Sequence, residues 1–232
     1  MESIAPILLE KNVRTPRSRW REWFEISAVY GMVLLVFWTP RPWQYPLWAL
    51  AAALVGTILF KSSQDLQAVG LCKGKLSCSL WALAAALAVA GLAVILAAYL
   101  HTLHLPGTPK SFLGRSCVYV VWALIQELVL QCFFLSRLLQ LTGNATGAAV
   151  ATAVLFAMAH LPSPILMAIT LVCGLAACLF FLRFRTLFPL AIAHAILGLS
   201  IAITVPRALD HNMSVGLAYL TYNSQPAQLL QP

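Results

Sequence analysis

The stretch Trp122-Ala-Leu-Ile-Gln-Glu-Leu-Val-Leu-Gln131 places an acidic residue, Glu127, in the middle of an otherwise apolar run. An acidic side chain at the centre of a bilayer costs roughly 2.5–3.5 kcal/mol on insertion scales. In a helix, Gln131 lies one turn further along the face of Glu127, and Gln126 borders that face at an offset of about 100°. These three residues therefore predict a polar patch that faces the interior of a helical bundle.

The composition of the whole chain is typical of an integral membrane protein. Hydrophobic residues make up 61% of the 232 residues, and charged residues make up 9%. Soluble domains average roughly a quarter charged and just under half apolar. Ala- and Leu-rich runs without strand-like alternation favour helices. We therefore expect an all-α, polytopic transmembrane bundle of about seven to eight helices.

Seven apolar runs approach the roughly 20 residues that a helix needs to cross the hydrocarbon. A further apolar segment, Met213–Tyr222, is too short to cross, so it is expected on the membrane surface or packed against the bundle. The predicted spans are Phe24–Trp38, Tyr45–Lys61, Leu80–Leu100, Val118–Leu138, Ala145–His160, Ile165–Leu182 and Leu187–Val205.

The distribution of Lys and Arg predicts the orientation. Of the 15 basic residues, eleven precede the first span or lie at alternate connectors, and the other four lie on the opposite side. Because basic residues accumulate on the cytoplasmic side, we expect a cytoplasmic N-terminus. A bacterial plasma membrane location is a separate expectation. The net charge of +8 is then explained by the topology, and no nucleic-acid partner is required. The oligomeric state is left open.

Two predicted spans also carry a histidine, His160 at the end of the fifth and His194 in the seventh. Each of these imidazoles lowers the cost of burying Glu127. The chemistry suits hydrolysis, because Glu127 can take a proton from water while the imidazoles donate to an oxyanion or hold the water. One Glu and two His also match the ligand count of a zinc site, although the H-E-x-x-H helix is absent. No cofactor is predicted outright, and a divalent metal such as zinc stays open.

Three sequence stretches resemble motifs of one family. The run Gln126-Glu-Leu-Val-Leu-Gln131 is similar to E-E-x-x-x-R, and Phe156-Ala-Met-Ala-His160 matches F-x-x-x-H. The region around His194 is similar to H-x-x-x-N or H-x-x-x-D, with Gly198 in the last place. In this order, they resemble the CAAX-prenyl-endopeptidase and bacteriocin-processing (CPBP, or Abi) intramembrane proteases.

The resemblance implies a helical bundle with a conical cavity, in which peptide bonds of lipidated or membrane-associated proteins are cut. By position it implies that Glu127, His160 and His194 are catalytic, with Gln126 orienting water. Family members are described either as metalloproteases or as glutamate-based enzymes. Gln126 stands at the first acidic position, and glutamine cannot act as a general base. Gln131 replaces the motif arginine.

Three functions stay open. The first is an intramembrane endopeptidase, the second is a catalytically inactive relative that holds a partner, and the third is a small proton-coupled transporter. The predicted organisation is a basic arm (1–22), three accessory helices (23–114), a catalytic-type four-helix core (115–205) and a C-terminal tail (206–232).

Overall fold

The computed structural model of this chain describes residues 16–62, 76–105 and 108–222. Every regular element in these ranges is helical, which confirms the predicted all-α class. The helices in chain order are α1 (Pro16–Trp38), α2 (Gln44–Ser62), α3 (Leu76–Tyr99), α4 (Pro109–Glu127), a π-helix (Leu128–Leu135), α5 (Ser136–Thr142), α6 (Ala145–Met158), α7 (Pro164–Phe184), α8 (Phe188–Thr204), α9 (Arg207–Asp210) and α10 (Leu217–Leu220).

Each predicted span coincides with a helix. Three helical stretches in the described part of the chain are long and apolar enough to cross a membrane, and α6 and α8 are shorter apolar helices. The three are Leu80–Tyr99, Lys110–Thr142 and Pro164–Phe184. The prediction was wrong at one functional boundary. It ended the fifth span at His160, whereas α6 ends at Met158 and His160 lies in the following turn.

The fourth span is one long helix with an altered middle. It begins at Pro109, where Thr108 caps the first turn, and it runs without a break to Thr142, where Gly143 adopts a left-handed conformation. A π-helix occupies Leu128–Leu135, directly after Glu127. The wider i→i+5 turns of a π-helix are rare and frequently accompany functional sites. This segment is also the most buried part of the span, with six of its residues buried.

Three pairs of packed helices position the candidate site. Helix α8 packs against α3 and α4, and α6 packs against α7. The buried core lies around the π-helix, where Phe133 and Phe181 are almost fully enclosed. Helix α1 joins this core through Tyr30, whose hydroxyl donates to the Leu155 carbonyl at 3.1 Å and whose ring meets Phe134 edge-on.

One end of the bundle is held by an ion-pair cluster between α1 and α5. The Arg137 guanidinium lies 3.3 Å from a Glu22 carboxylate oxygen and 2.9 Å from a Glu25 carboxylate oxygen. Arg21 also pairs with Glu25 at 2.8 Å, one turn away. Glu22 is only 3% exposed, so burial of its charge requires cationic partners such as Arg137.

The segment after α8 packs against the bundle, which is one of the two placements expected for Met213–Tyr222. The Gly216 amide donates to the Leu161 carbonyl at 2.7 Å. Gly216 has a φ of +59°, and a Cβ there would overlap the Phe37 carbonyl, so this position requires glycine. The segment therefore reaches the turn that carries His160.

Candidate active site

Glu127 is the last residue of α4 and lies at the junction with the π-helix. It is 3% exposed, and both carboxylate oxygens have a partner. His194 Nδ1 lies 2.9 Å from one oxygen, and the Gln131 amide donates to the other at 3.0 Å. The buried charge predicted from the sequence is thus held by an imidazole from another helix and by a neutral amide one turn away.

His194 lies in the first half of α8, and its side chain is 15% exposed. A carboxylate can only accept hydrogen bonds, so the bond from His194 to ionised Glu127 requires the hydrogen on Nδ1. The other ring nitrogen, Nε2, is then an acceptor whenever the imidazole is neutral. The pair therefore resembles the carboxylate–imidazole arrangement that prepares a histidine to accept a proton.

His160 is oriented by its own backbone. Its Nδ1 lies 2.7 Å from the Phe156 carbonyl, which can only accept, so Nδ1 carries a hydrogen and Nε2 is an acceptor in the neutral ring. The Phe156 ring meets both imidazoles edge-on, at centroid distances of 4.9 Å to His160 and 5.8 Å to His194. Gly174 on α7 permits this arrangement, because a Cβ there would lie 3.0 Å from the Phe156 ring.

A cavity of about 670 Å³ connects these residues. Glu127, His160, His194 and Gln126 all line it, so the structure brings together all four site residues predicted from the sequence. Most of the remaining wall is apolar and comes from α3, α7 and α8, and Asn212 and Met213 of the C-terminal segment also contribute. The cavity can accommodate an apolar or extended ligand beside a small polar centre.

The donor set does not fit a catalytic zinc ion. Such a site uses three protein ligands, and here the Glu127 carboxylate is bonded to His194 and Gln131. The Nε2 atoms of the two histidines are the available nitrogens. Among residues 16–62, 76–105 and 108–222, no three His, Cys, Asp or Glu side chains form a cluster that could hold a metal.

Among the cavity-lining residues that the sequence did not predict are Tyr119 and Asn212. Tyr119 lies on the cavity wall two turns before Gln126 on α4, and Asn212 comes from the tail. The spacing between Tyr119 and Gln126 is seven residues, which places both on one helical face. This spacing was sufficient to predict that Tyr119 lies on the same side of α4 as Gln126. Asn212 reaches the cavity because the C-terminal segment folds back over the bundle, and no local sequence pattern predicts this packing.

Comparison with known proteins gives one match. Residues 108–200 of the 232-residue chain match the family model described as type II CAAX prenyl endopeptidase Rce1-like. No curated protein and no solved structure matches the chain significantly. The matched segment contains α4, the π-helix and the helices that carry Phe156, His160 and His194. The match over residues 108–200 therefore supports the resemblance to the CAAX-protease-like (CPBP) family that the three motifs predicted.

Proposed function

We propose that this protein is an intramembrane endopeptidase that hydrolyses peptide bonds of membrane-associated or lipidated proteins. The Glu127–His194 pair on the wall of a mostly apolar cavity carries this proposal. A buried carboxylate–imidazole pair serves proton transfer, and an apolar cavity within a membrane bundle admits a lipid-linked or hydrophobic peptide. In this proposal the bundle lies in a bacterial plasma membrane with its N-terminus in the cytoplasm.

The proton acceptor in this proposal is the pair rather than Glu127 alone. Glu127 holds the hydrogen of His194 Nδ1, and Nε2 receives a proton from the attacking water. His160 Nε2 accepts the second hydrogen of the same water and orients it. Gln126, which also lines the cavity, contacts the water or the substrate carbonyl through its amide. Gln131 fixes the second oxygen of Glu127 and so prevents the carboxylate from rotating.

The test uses the purified protein in lipid vesicles with fluorogenic lipidated peptides. Glu127→Gln and Glu127→Ala should each lower kcat by about 10³-fold, because neutral side chains no longer stabilise the protonated His194. Gln140→Ala, an exposed position on α5, serves as the control and should leave kcat unchanged. Turnover that persists at the wild-type rate in both Glu127 variants would refute the mechanism.

The neutral residues at two motif positions favour a second candidate, a non-catalytic relative that holds a membrane protein in the cavity. Gln126 and Gln131 stand where the family motif has an acid and an arginine. This candidate predicts no hydrolysis by the wild type and equal retention of a co-purified partner by wild type and Glu127→Ala. The same preparations therefore separate the two functions.

A further inference from the structure

Tyr119 and Gly198 interlock between α4 and α8. A Cβ at position 198 would overlap the Tyr119 hydroxyl and would lie 2.6 Å from the ring carbon that bears it. This distance is well inside van der Waals contact, so the phenol occupies the volume that any larger residue at 198 would fill. Gly198 is also the last position of the third motif, where the family pattern has Asn or Asp.

This contact places the phenol beside the reactive pair. Gly198 follows His194 by one helical turn on the same face of α8, so the Cβ positions of the two residues are about 5–6 Å apart. A substrate carbonyl placed between His194 and Gly198 would have its carbon nearer to His194 Nε2 and its oxygen nearer to the Tyr119 hydroxyl. Both residues line the cavity.

The Tyr119 hydroxyl is available to a ligand. It makes no hydrogen bond to any residue in the described part of the chain. The hydroxyls of Ser116 and Thr170, which also line the cavity, donate to backbone carbonyls of Phe112 and Leu166. Tyr119 is therefore a side chain of the cavity wall whose donor is free.

The proposed hydrolysis requires a hydrogen-bond donor to the oxyanion, and the two histidines do not supply one. In their neutral forms, both present an acceptor nitrogen to the cavity, so neither donates to an oxygen on which negative charge develops. Hydrolysis needs a donor at that point, and such donors commonly contribute a factor of about 10² to 10³ in kcat.

Building on the proposed function, we propose that the Tyr119 hydroxyl is a catalytic hydrogen-bond donor to the oxyanion of the tetrahedral intermediate, in the place left by Gly198. The water oxygen bonds to the peptide carbon while His194 Nε2 takes one water proton and the carbonyl π electrons move to oxygen. Tyr119 donates to that oxygen without losing its proton. When the C=O bond reforms, the C–N bond breaks and His194 passes its proton to the leaving amine, which yields an acid and an amine.

The first test removes the hydroxyl and keeps the ring. Tyr119→Phe should lower kcat by about 10²-fold with KM nearly unchanged, because the donor acts on the transition state and the ring still packs on Gly198. Tyr99→Phe, at an exposed tyrosine on α3, is the matched control and should keep the wild-type kcat. An unchanged kcat in Tyr119→Phe overturns the inference.

A second test moves the hydrogen-bond donor from position 119 to position 198. Tyr119→Ala opens the volume beside position 198, and adding Gly198→Asn to it fills that volume with an amide donor. The double variant should recover at least about tenfold of the kcat lost by Tyr119→Ala. Gly198→Asn alone should be less active than wild type, because it overlaps the phenol. A double variant no better than Tyr119→Ala contradicts the proposed replacement.

A binding measurement keeps this inference separate from the proposed function. If the wild type hydrolyses no peptide, the endopeptidase proposal fails, and the donor is then tested with a peptide aldehyde, whose hydrate resembles the tetrahedral intermediate, against the matching peptide alcohol. Tyr119→Phe should weaken binding of the aldehyde at least tenfold and leave binding of the alcohol unchanged. Equal effects on the two ligands refute the role of Tyr119.

Discussion

Glu22 and Glu127 are equally buried acids with different partners. Each is 3% exposed. Glu22 meets the Arg137 guanidinium at one end of the bundle, whereas Glu127 meets the His194 imidazole on the wall of a cavity. Arginine stays protonated and can only neutralise a carboxylate, whereas histidine exchanges a proton near neutral pH. The two acids are therefore distinguished by their partners and by the adjacent cavity and not by their burial, and the proposed function rests on these two differences.

Replacing the imidazole with a guanidinium would give Glu127 the kind of partner that Glu22 has. His194→Arg should keep an ion pair with Glu127 but lower kcat by about 10³-fold or more, since arginine cannot accept a proton. Steady-state hydrolysis in vesicles measures the effect, and His101→Arg at an exposed position is the control. Retained turnover in His194→Arg would indicate that Glu127 alone is the base, as the sequence first predicted.

Removing the guanidinium tests the structural side of the comparison. Arg137→Met should lower the free energy of unfolding by about 3 kcal/mol, because it removes the Arg137 guanidinium from beside the buried Glu22 carboxylate. The value is at the low end for a buried pair because the Arg137 side chain is 18% exposed. Activity per folded molecule should stay at the wild-type level. Denaturant titration in mixed micelles measures the stability, with Arg183→Met at an exposed arginine as the control.

Asp210 extends the comparison to an acid that is held by backbone amides. It is 1% exposed, and the Asn212 amide donates to it at 2.9 Å. Burial raises the pKa of this carboxyl above 3.8, against the opposing effects of backbone hydrogen bonds and of nearby His104. Because the folded pKa is raised, the stabilising contribution is complete below the ordinary carboxyl pKa and is lost as pH rises through the folded value.

The C-terminal segment should therefore be held more tightly at acidic pH, and this is the smallest of the expected effects. Hydrogen exchange of residues 206–222 measured between pH 4 and 7 should show faster opening at the higher pH. Asp210→Asn should remove most of this dependence. A pH dependence that is equal in the variant and the wild type would show that another group controls the segment.

The sequence predicted the bundle and the convergence of Glu127 with both histidines, because a charge in lipid requires a polar partner. Other features depend on the three-dimensional packing of helices that are distant in sequence. Glu22 and Arg137 are 115 positions apart near the ends of their helices, where charged residues are ordinary. The interlock of Tyr119 with Gly198 depends on how closely α4 and α8 approach. The π-helix is invisible in an apolar run such as Leu128–Leu135, because its hydrophobic pattern has no interruption.

The π-helix separates Glu127 from Arg137, so the number of residues in it sets how these two side chains are oriented relative to each other. Glu127 precedes it and Arg137 follows it on one continuous rod. Each residue added to or removed from a helix turns everything beyond it by about 100°. The wider turns of the π-helix hold one more residue than α-helical turns would, so conversion of residues 128–135 to α-helix absorbs a one-residue deletion, whereas a second deletion or an insertion would rotate Arg137 away from α1 or Glu127 away from His194.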